Sequence, residues 1–325
     1  MMLRPKFLAA CVALTLLPGT ACAQEDPAAQ AINPQDEYIA VLSAFPPELA
    51  AIEAVMISDK TPNQTFRIAG REFRTAEING RHFVFFLTGM SLVNAALTTQ
   101  MALDRFHVRA VFFTGIAGGV DPGLHAGDVV IPARWHYHSE AFYFNETAPG
   151  KFTLAPFYHG THKNFGMIFP ESVTVIRDGM KDWAQVPFFE ADPALLAAAE
   201  RATATLPPMR LGERVCKVQY GGDGVAGTVF CDNAEYRKWV FDEWKAVCLD
   251  MESTAVAQVC WENKKPFLVV RGLSDLAGGQ AGENQMEANL KAAADNSAAV
   301  LTRILQNLDP LPGAAPVASP SPAGR

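Results

Sequence analysis

Apolar residues along this chain fall into short unbroken runs separated by stretches with helical spacing, as expected of buried strands and the helices that cover them. The first run, Tyr38 to Leu42, leads into Ser43-Ala44-Phe45-Pro46-Pro47-Glu48, where the proline pair suits a loop and the first turn of a helix reaching about Met56. Phe73 to Glu77 and His82 to Phe86 flank Asn79-Gly80, a hairpin signal. Ser91 to Phe106 has helical periodicity. Arg109 to Phe113 predicts a buried strand ending in a glycine-rich segment, Thr114 to Gly119, and His125 to Pro132 a further strand after a turn. Arg214 to Gln219 reads as a strand running into Tyr220-Gly221-Gly222-Asp223-Gly224, and Glu235 to Trp244 and Met286 to Leu308 as helices. Strands alternating with helices predict an α/β layered fold.

The most telling stretch is Val247 to Gly279. A strand, Ala246 to Leu249, runs into Asp250-Met251-Glu252; a helix follows, and a second strand, Phe267 to Val270, ends at Arg271-Gly272-Leu273-Ser274-Asp275. Open α/β sheets bind ligands beyond the carboxyl ends of their strands. Glu252, Arg271 and Asp275 are therefore expected to converge on one pocket, with Glu48 at the same sheet edge. Carboxylates crowded together push their pKa values apart, which suits one to act as acid and another as base. The glycines of Thr114 to Gly119 and Gly221 to Gly224 let backbone approach a ligand, but a tight strand-to-helix turn explains the former equally well. Neither matches a phosphate-cradle or dinucleotide pattern, so no cofactor is expected.

Composition narrows the class. The 325 residues, 49% apolar, suffice for a large core, and a net charge of -7 without a basic cluster argues against a nucleic-acid partner. Arg4 and Lys6 precede an apolar run from Phe7 to Leu17, and Ala21-Cys22-Ala23 supplies small residues for cleavage before Gln24. Residues 1–23 are thus expected to be a signal peptide, giving a periplasmic or secreted protein with no membrane segment after cleavage. Gly19, where a lipoprotein signal has an aliphatic residue, weighs against Cys22 as a lipid anchor. Residues 24–36 read as a disordered polar lead and 310–325 as a disordered Pro/Ala-rich tail, around one domain at 37–309. Within it, about 133–190 reads as a long irregular insert. Its aromatics, Phe142, Tyr143, Phe144, Phe157 and Tyr158, suit either a substrate pocket or subunit interface, or a small core of the insert's own.

Of the mature cysteines, Cys248 and Cys260 read as buried thiols, while Cys216 and Cys231, flanking a glycine-rich turn, are the better disulfide candidates. The pairs His136/His138 and His159/His162 lack a Cys or carboxylate at ligand spacing. They are expected to be surface or loop histidines, with no metal.

Taken together, SAFPPE (43–48), TGIAGG (114–119) followed by AGDVVIP (126–132), GGDG (221–224) and, above all, DMEST (250–254) with RGLSD (271–275) resemble the nucleoside phosphorylase/nucleosidase superfamily, and most closely methylthioadenosine/S-adenosylhomocysteine nucleosidases. The resemblance covers about residues 38–308. It implies a three-layer α/β/α sandwich around a mixed, mostly parallel sheet, assembled as a homodimer. It also implies a small-molecule nucleoside substrate. Asp275, oriented by Ser274, would protonate the purine N7; Glu252 would bind the ribose hydroxyls; Glu48, with Arg271 and Glu252, would position and deprotonate water; and Met251 would pack beneath the sugar. Ile116, Ala117, Gly118 and Val225 fall at substrate-binding positions. Two of these depart from the family pattern, since Val225 stands where an aromatic stacks on adenine and Ile116 where the turn has Ser. The base and the 5′ substituent therefore stay open. An acid rather than cations in the first loop favours hydrolysis over phosphorolysis. A phosphate-dependent phosphorylase and a non-catalytic nucleoside-binding or storage protein are the alternatives.

Overall fold

A computed structural model describes residues 32, 33 and 35–308, so the stretches read as a signal peptide (1–23) and as a Pro/Ala-rich tail (310–325) lie outside the described residues. Twelve strands form one mixed, mostly parallel sheet: β1 (Glu37–Ser43), β2 (Asn63–Ile68), β3 (Arg71–Ile78), β4 (Arg81–Leu87), β5 (His107–Gly119), β6 (Val129–Ile131), β7 (Arg134–Tyr137), β8 (Phe189–Glu190), β9 (Val218–Tyr220), β10 (Asp223–Ala226), β11 (Ala246–Asp250) and β12 (Phe267–Asp275). Among the described residues six helices cover it: α1 (Pro46–Met56), α2 (Leu92–Arg105), α3 (Pro193–Thr203), α4 (Ala234–Trp244), α5 (Ser253–Glu262) and α6 (Met286–Gln306). Helix α6 packs on β12, β5, α1 and α3, whereas α5 packs on α2, β7, β8 and β10, giving helical layers about a central sheet. Each middle strand is buried on both faces, which is why β1, β11 and β12 are nearly continuous apolar runs.

The strand order is β8-β7-β10-β11-β5-β1-β4-β3-β2, with β12 beside β5 and β6, and β9 beside β6. Strand β5 is the hinge of this arrangement. Its first half lies between β1 and β12, both parallel to it, while Gly118 and Gly119 at its end pair antiparallel with Leu249 and Cys248 of β11. The segment Thr114 to Gly119 is therefore not a strand-to-helix turn but the second half of a 13-residue strand. Likewise Arg271 to Asp275 lies within β12 rather than beyond it, and pairs with that glycine-rich half: Arg271 opposite Gly115, Leu273 opposite Ala117, Asp275 opposite Gly118. The β3–β4 hairpin turns at Asn79 and Gly80, with φ of 52° and 72°, the left-handed pair that an Asn-Gly turn requires.

Structure departs from sequence expectation in several other places. Ile32, in the stretch read as a polar lead, is buried against the core. Strand β2 and helix α3 were not singled out by the sequence pattern. The 133–190 insert is less irregular than expected: it sends β7 and β8 into the main sheet and folds three small antiparallel pairs, 141–143 with 168–170, 146–148 with 151–152, and 173–175 with 184–186. Phe142, Phe144, Tyr158 and Phe169 pack mostly edge-on against one another as its own small core, with the exposed Phe157 ring at its margin, whereas Tyr143 alternates to the other side and is exposed. His136 and His138 are buried, not on the surface. His136 Nε2 lies 3.2 Å from Asp223 Oδ1, and His138 Nδ1 shares a 2.8 Å hydrogen bond with the Tyr236 hydroxyl, because β7 is an interior strand. Among the described residues no cluster of His, Cys, Asp and Glu could hold a metal ion. Cys216 and Cys231 are separate buried thiols rather than a disulfide. Cys231 Sγ donates to the Ala277 carbonyl, while Cys216 Sγ lies beside Gly127 and Arg214.

Candidate active site

The ends of β1, β5, β11 and β12 and the first turns of α1 and α5 enclose a cavity of about 160 Å³ lined by Glu48, Ile116, Ala117, Gly118, Met251, Glu252, Ser274 and Asp275. Two proline residues open α1 and place Glu48 in its first turn. There its carboxylate accepts backbone N–H bonds at both oxygens: from Ala44 (2.8 Å) and Phe45 (3.3 Å) on Oε2, and from Ile116 (2.7 Å) on Oε1. Burial pushes the Glu48 carboxyl above its ordinary pKa, against the pull of Arg271 and of those N–H groups.

Arg271 is fully buried at the centre of a ring of carboxylates. Its Nε donates to Asp250 Oδ2 at 2.7 Å, its Nη2 to Ser253 Oγ at 3.0 Å, and its guanidinium lies 4.0 Å above the Phe113 ring. Nη1 faces Glu48 Oε1 and Nη2 faces Glu252 Oε2, each at 3.7 Å. Burial works against its charge, but the three carboxylates more than offset this and hold it ionised. Arg271 does not line the cavity, so it acts on any bound molecule through Glu48 and Glu252. Gly115, opposite Arg271 on β5, makes the convergence possible: a Cβ there would lie 2.2 Å from Arg271 Nη1 and 2.3 Å from Glu48 Oε1.

Asp250 and Ser253 are the residues that sequence reasoning missed. Asp250 lies inside the DMEST motif, but nothing in the motif shows that its side chain turns inward. Asp250 Oδ1 accepts from the Glu252 and Ser253 backbones (3.0 and 2.9 Å), and Oδ2 from the Ser253 hydroxyl and Arg271. It thereby fixes both the start of α5 and the guanidinium. Glu252, at the amino end of α5, accepts a 2.7 Å hydrogen bond on Oε1 from the backbone N–H of Ser91. Burial, together with the Asp250 charge, raises the Glu252 carboxyl to about 7. Ser91 holds φ 77° and ψ 157°, a conformation rare outside glycine, and this turns its N–H toward Glu252.

Asp275 ends β12. The Ser274 hydroxyl donates to its Oδ2 and the Ala277 N–H to its Oδ1, both at 2.8 Å. Burial raises its pKa despite these two hydrogen bonds, so the protonated carboxyl is favoured more than in water. Val225, placed at the site by motif position, does not line the cavity. Strand alternation turns it toward α4, where it is fully buried with Val120 and Val240. The aromatic at that end of the cavity is Phe230, five residues later, beside Val229 and Cys231; Phe45, Met90 and Met286 supply the remaining apolar wall.

The arrangement offers three carboxyls with raised proton affinity, Glu48, Glu252 and Asp275, each within 2.7–2.8 Å of a hydrogen-bond donor and largely shut off from water, with one buried cation behind the first two. Such a site can hold a developing cation between carboxylates while an acid protonates a leaving group.

Comparison with known proteins agrees with that chemistry. The family model of the phosphorylase superfamily matches residues 38–306. The chain is 30% identical over 274 residues to the 5′-methylthioadenosine/S-adenosylhomocysteine nucleosidase of Tolumonas auensis, covering 83% of this chain and 99% of the relative. It is 29% identical over 281 residues to that of Mycobacterium bovis, covering 82% and 96%. Among solved structures, the nucleosidase of the same name from Colwellia psychrerythraea in complex with adenine superposes with a TM-score of 0.63 at 27% identity, covering 84% of this chain and 96% of that one. The futalosine hydrolase of Helicobacter pylori shares the fold, with a TM-score of 0.62 at 20% identity over 84% and 98% of the two chains.

Proposed function

The chain belongs to the phosphorylase superfamily, as a nucleoside N-glycosyl hydrolase within it, and on that premise we propose that it is an exported purine nucleosidase acting on methylthioadenosine, S-adenosylhomocysteine or related nucleosides with water as nucleophile. In this reading Asp275, held by Ser274, protonates the departing base at N7. Glu252 accepts from the ribose 2′- and 3′-hydroxyls above Met251. Glu48, kept in place by Arg271 and three backbone N–H groups, orients and deprotonates the attacking water. The oxocarbenium-like sugar forms between Glu48 and Glu252, whose charges stabilise it.

The observation that carries hydrolysis over phosphorolysis is the seat of Glu48. A phosphate needs N–H donors and cations, yet the Ile116 and Ala44 N–H groups are occupied by the Glu48 carboxylate, and no Lys or Arg among the described residues lines the cavity. An anion arriving there would face Glu48, Asp250 and Glu252 with one cation to balance them. Retention of a buried, oriented Asp275 favours an enzyme over a storage protein, since binding alone needs no general acid.

Export rests on Arg4, Lys6, the run from Phe7 to Leu17 and the small residues at Ala21–Ala23. Homodimer formation is supported by Val93 and Leu97, 76% and 51% exposed on successive turns of α2 next to the exposed Met90, an apolar stripe of the sort that partners cover. The deciding experiment incubates the mature protein with adenosine, inosine and methylthioadenosine, with and without phosphate, and follows free base. Base release without phosphate supports the proposal. Dependence on phosphate transfers the protein to the phosphorylases, and no release across the panel leaves a binding role.

A further inference from the structure

A second cavity, of about 420 Å³, adjoins the active-site cavity and shares with it the wall formed by Val229, Phe230 and Cys231. That wall stands at the Asp275 end of the site, away from Glu252: Cys231 Sγ donates to the carbonyl of Ala277, two residues past Asp275, and the neighbouring Asp232 binds Gln280 and Asn284. On the nucleosidase reading, on which this inference rests, Asp275 marks the base and Glu252 the sugar. The second cavity therefore lies beyond the base, on the side away from the ribose.

Its far wall comes from the insert: Tyr143, Phe165 and Ile168. Phe165 and Ile168 are locked together by reciprocal backbone hydrogen bonds of 2.9 Å, and the Phe165 ring packs edge-on to Tyr236, whose hydroxyl is tied to His138. Several polar atoms at the cavity are already engaged. Asp232 Oδ1 accepts from two side-chain amides, Asn233 Oδ1 caps α4, and Ser139 Oγ accepts from the Thr228 N–H. The greater part of the remaining lining is apolar and aromatic: Tyr143, Phe165, Ile168, Val229, Phe230 and Tyr236, with Asp232 and Asn233 at its exposed rim. The shared wall is different in kind: Phe230 is 56% exposed and, among the described residues, stacks against no other ring, so no ring contact holds its side chain between the two cavities.

We infer that the second cavity is a substrate subsite for an apolar substituent on the six-membered ring of the purine, with Phe230 as the partition that yields to it. The insert then has a role in substrate choice: it builds a chamber for base-modified nucleosides such as those with an aryl or alkyl group on the exocyclic nitrogen.

The test compares release of base from adenosine and N6-benzyladenosine, and from methylthioadenosine and its N6-benzyl counterpart, by the mature wild-type protein and by Ile168→Trp and Tyr143→Asp. Ile168→Trp fills the chamber, while Tyr143 is 66% exposed, so its replacement leaves folding unaffected and places a charge in the same space. The wild type is expected to cleave the benzylated nucleoside within about tenfold of its parent. Each variant should lower kcat/KM for the benzylated nucleoside about tenfold or more while the parent stays within about twofold, the discrimination that filling an apolar subsite produces. Rejection of the benzylated nucleosides by the wild type by more than about 100-fold, with the parents cleaved, overturns this inference alone, as does a pair of variants that leave the ratio unchanged. Release of base from neither nucleoside of either pair overturns the nucleosidase reading and this inference with it.

Discussion

Asp250 and Arg271 form the tightest ion pair of the site, with Oδ2 2.7 Å from Nε and both side chains almost wholly out of water. Asp250 sits in the cavity wall with Arg271 behind it, and the pair holds in register the two neighbouring carboxylates, Glu48 and Glu252. Removing one partner of a buried pair strands the other's charge, a far larger penalty than losing a surface salt bridge. Asp250→Ala is therefore expected to lower the free energy of unfolding by about 3–5 kcal/mol. Chemical denaturation of the variant beside the wild type measures this, and a loss under about 1 kcal/mol would show that the guanidinium finds other partners.

Asp275→Asn keeps the shape of the side chain and an oxygen for the Ser274 hydroxyl, so the fold should be preserved. Turnover should fall about 10²–10⁴-fold, the usual cost of losing a general acid. Steady-state assay beside circular dichroism checks both halves, and near-normal turnover would remove Asp275 from the role of acid.

Glu252 gives the chain a pH signature. Its folded carboxyl titrates at about 7 against an ordinary 4.5, so between those values the folded state holds more protons than the unfolded chain. The stabilisation this carries is complete below about pH 4.5 and disappears as pH rises to about 7. Glu252→Gln should flatten the decline of unfolding free energy across that window. On the role proposed for Glu252, the same ionisation should make kcat/KM of the wild type rise through about pH 7, since only a carboxylate could accept from both ribose hydroxyls. A stability profile identical in variant and wild type would disprove the shift.

Gly115→Ala tests the crowding directly. The added Cβ would fall within 2.3 Å of both Glu48 and Arg271, and neither buried group has room to retreat. Overpacking of this kind costs about 1–3 kcal/mol. Turnover should drop further than stability, because the displaced carboxylate is the proposed base. Thermal unfolding and initial rates separate the two effects.

Ser91→Gly should act in the opposite direction. The N–H that binds Glu252 belongs to the backbone and survives the change, while glycine adopts φ 77° and ψ 157° without the strain a serine carries there. A gain of about 1 kcal/mol in stability with wild-type KM is expected. A raised KM would mean that the serine side chain itself contributes to the site.

The sequence by itself determined much of this protein. Unbroken apolar runs from Tyr38 to Leu42, Ala246 to Leu249 and Phe267 to Val270 can be satisfied only as buried strands, and Asn79-Gly80 admits few conformations besides a tight hairpin turn. These local constraints, with charges at the strand ends, were enough to bring Glu48, Glu252 and Asp275 to one edge. Tertiary structure decided what depends on direction and partner. Whether Thr114 to Gly119 turned or continued as strand depended on β12 being there to pair with it. Asp250 was plain in the motif, yet its inward turn follows from the buried guanidinium that needs it. Strand alternation sent Val225 into the core, and the aromatic that lines the cavity wall there is Phe230, five residues later. Spacing along the chain encodes which residues share a strand end; which way each side chain points is fixed by packing between segments far apart in sequence, and a linear pattern carries no record of that.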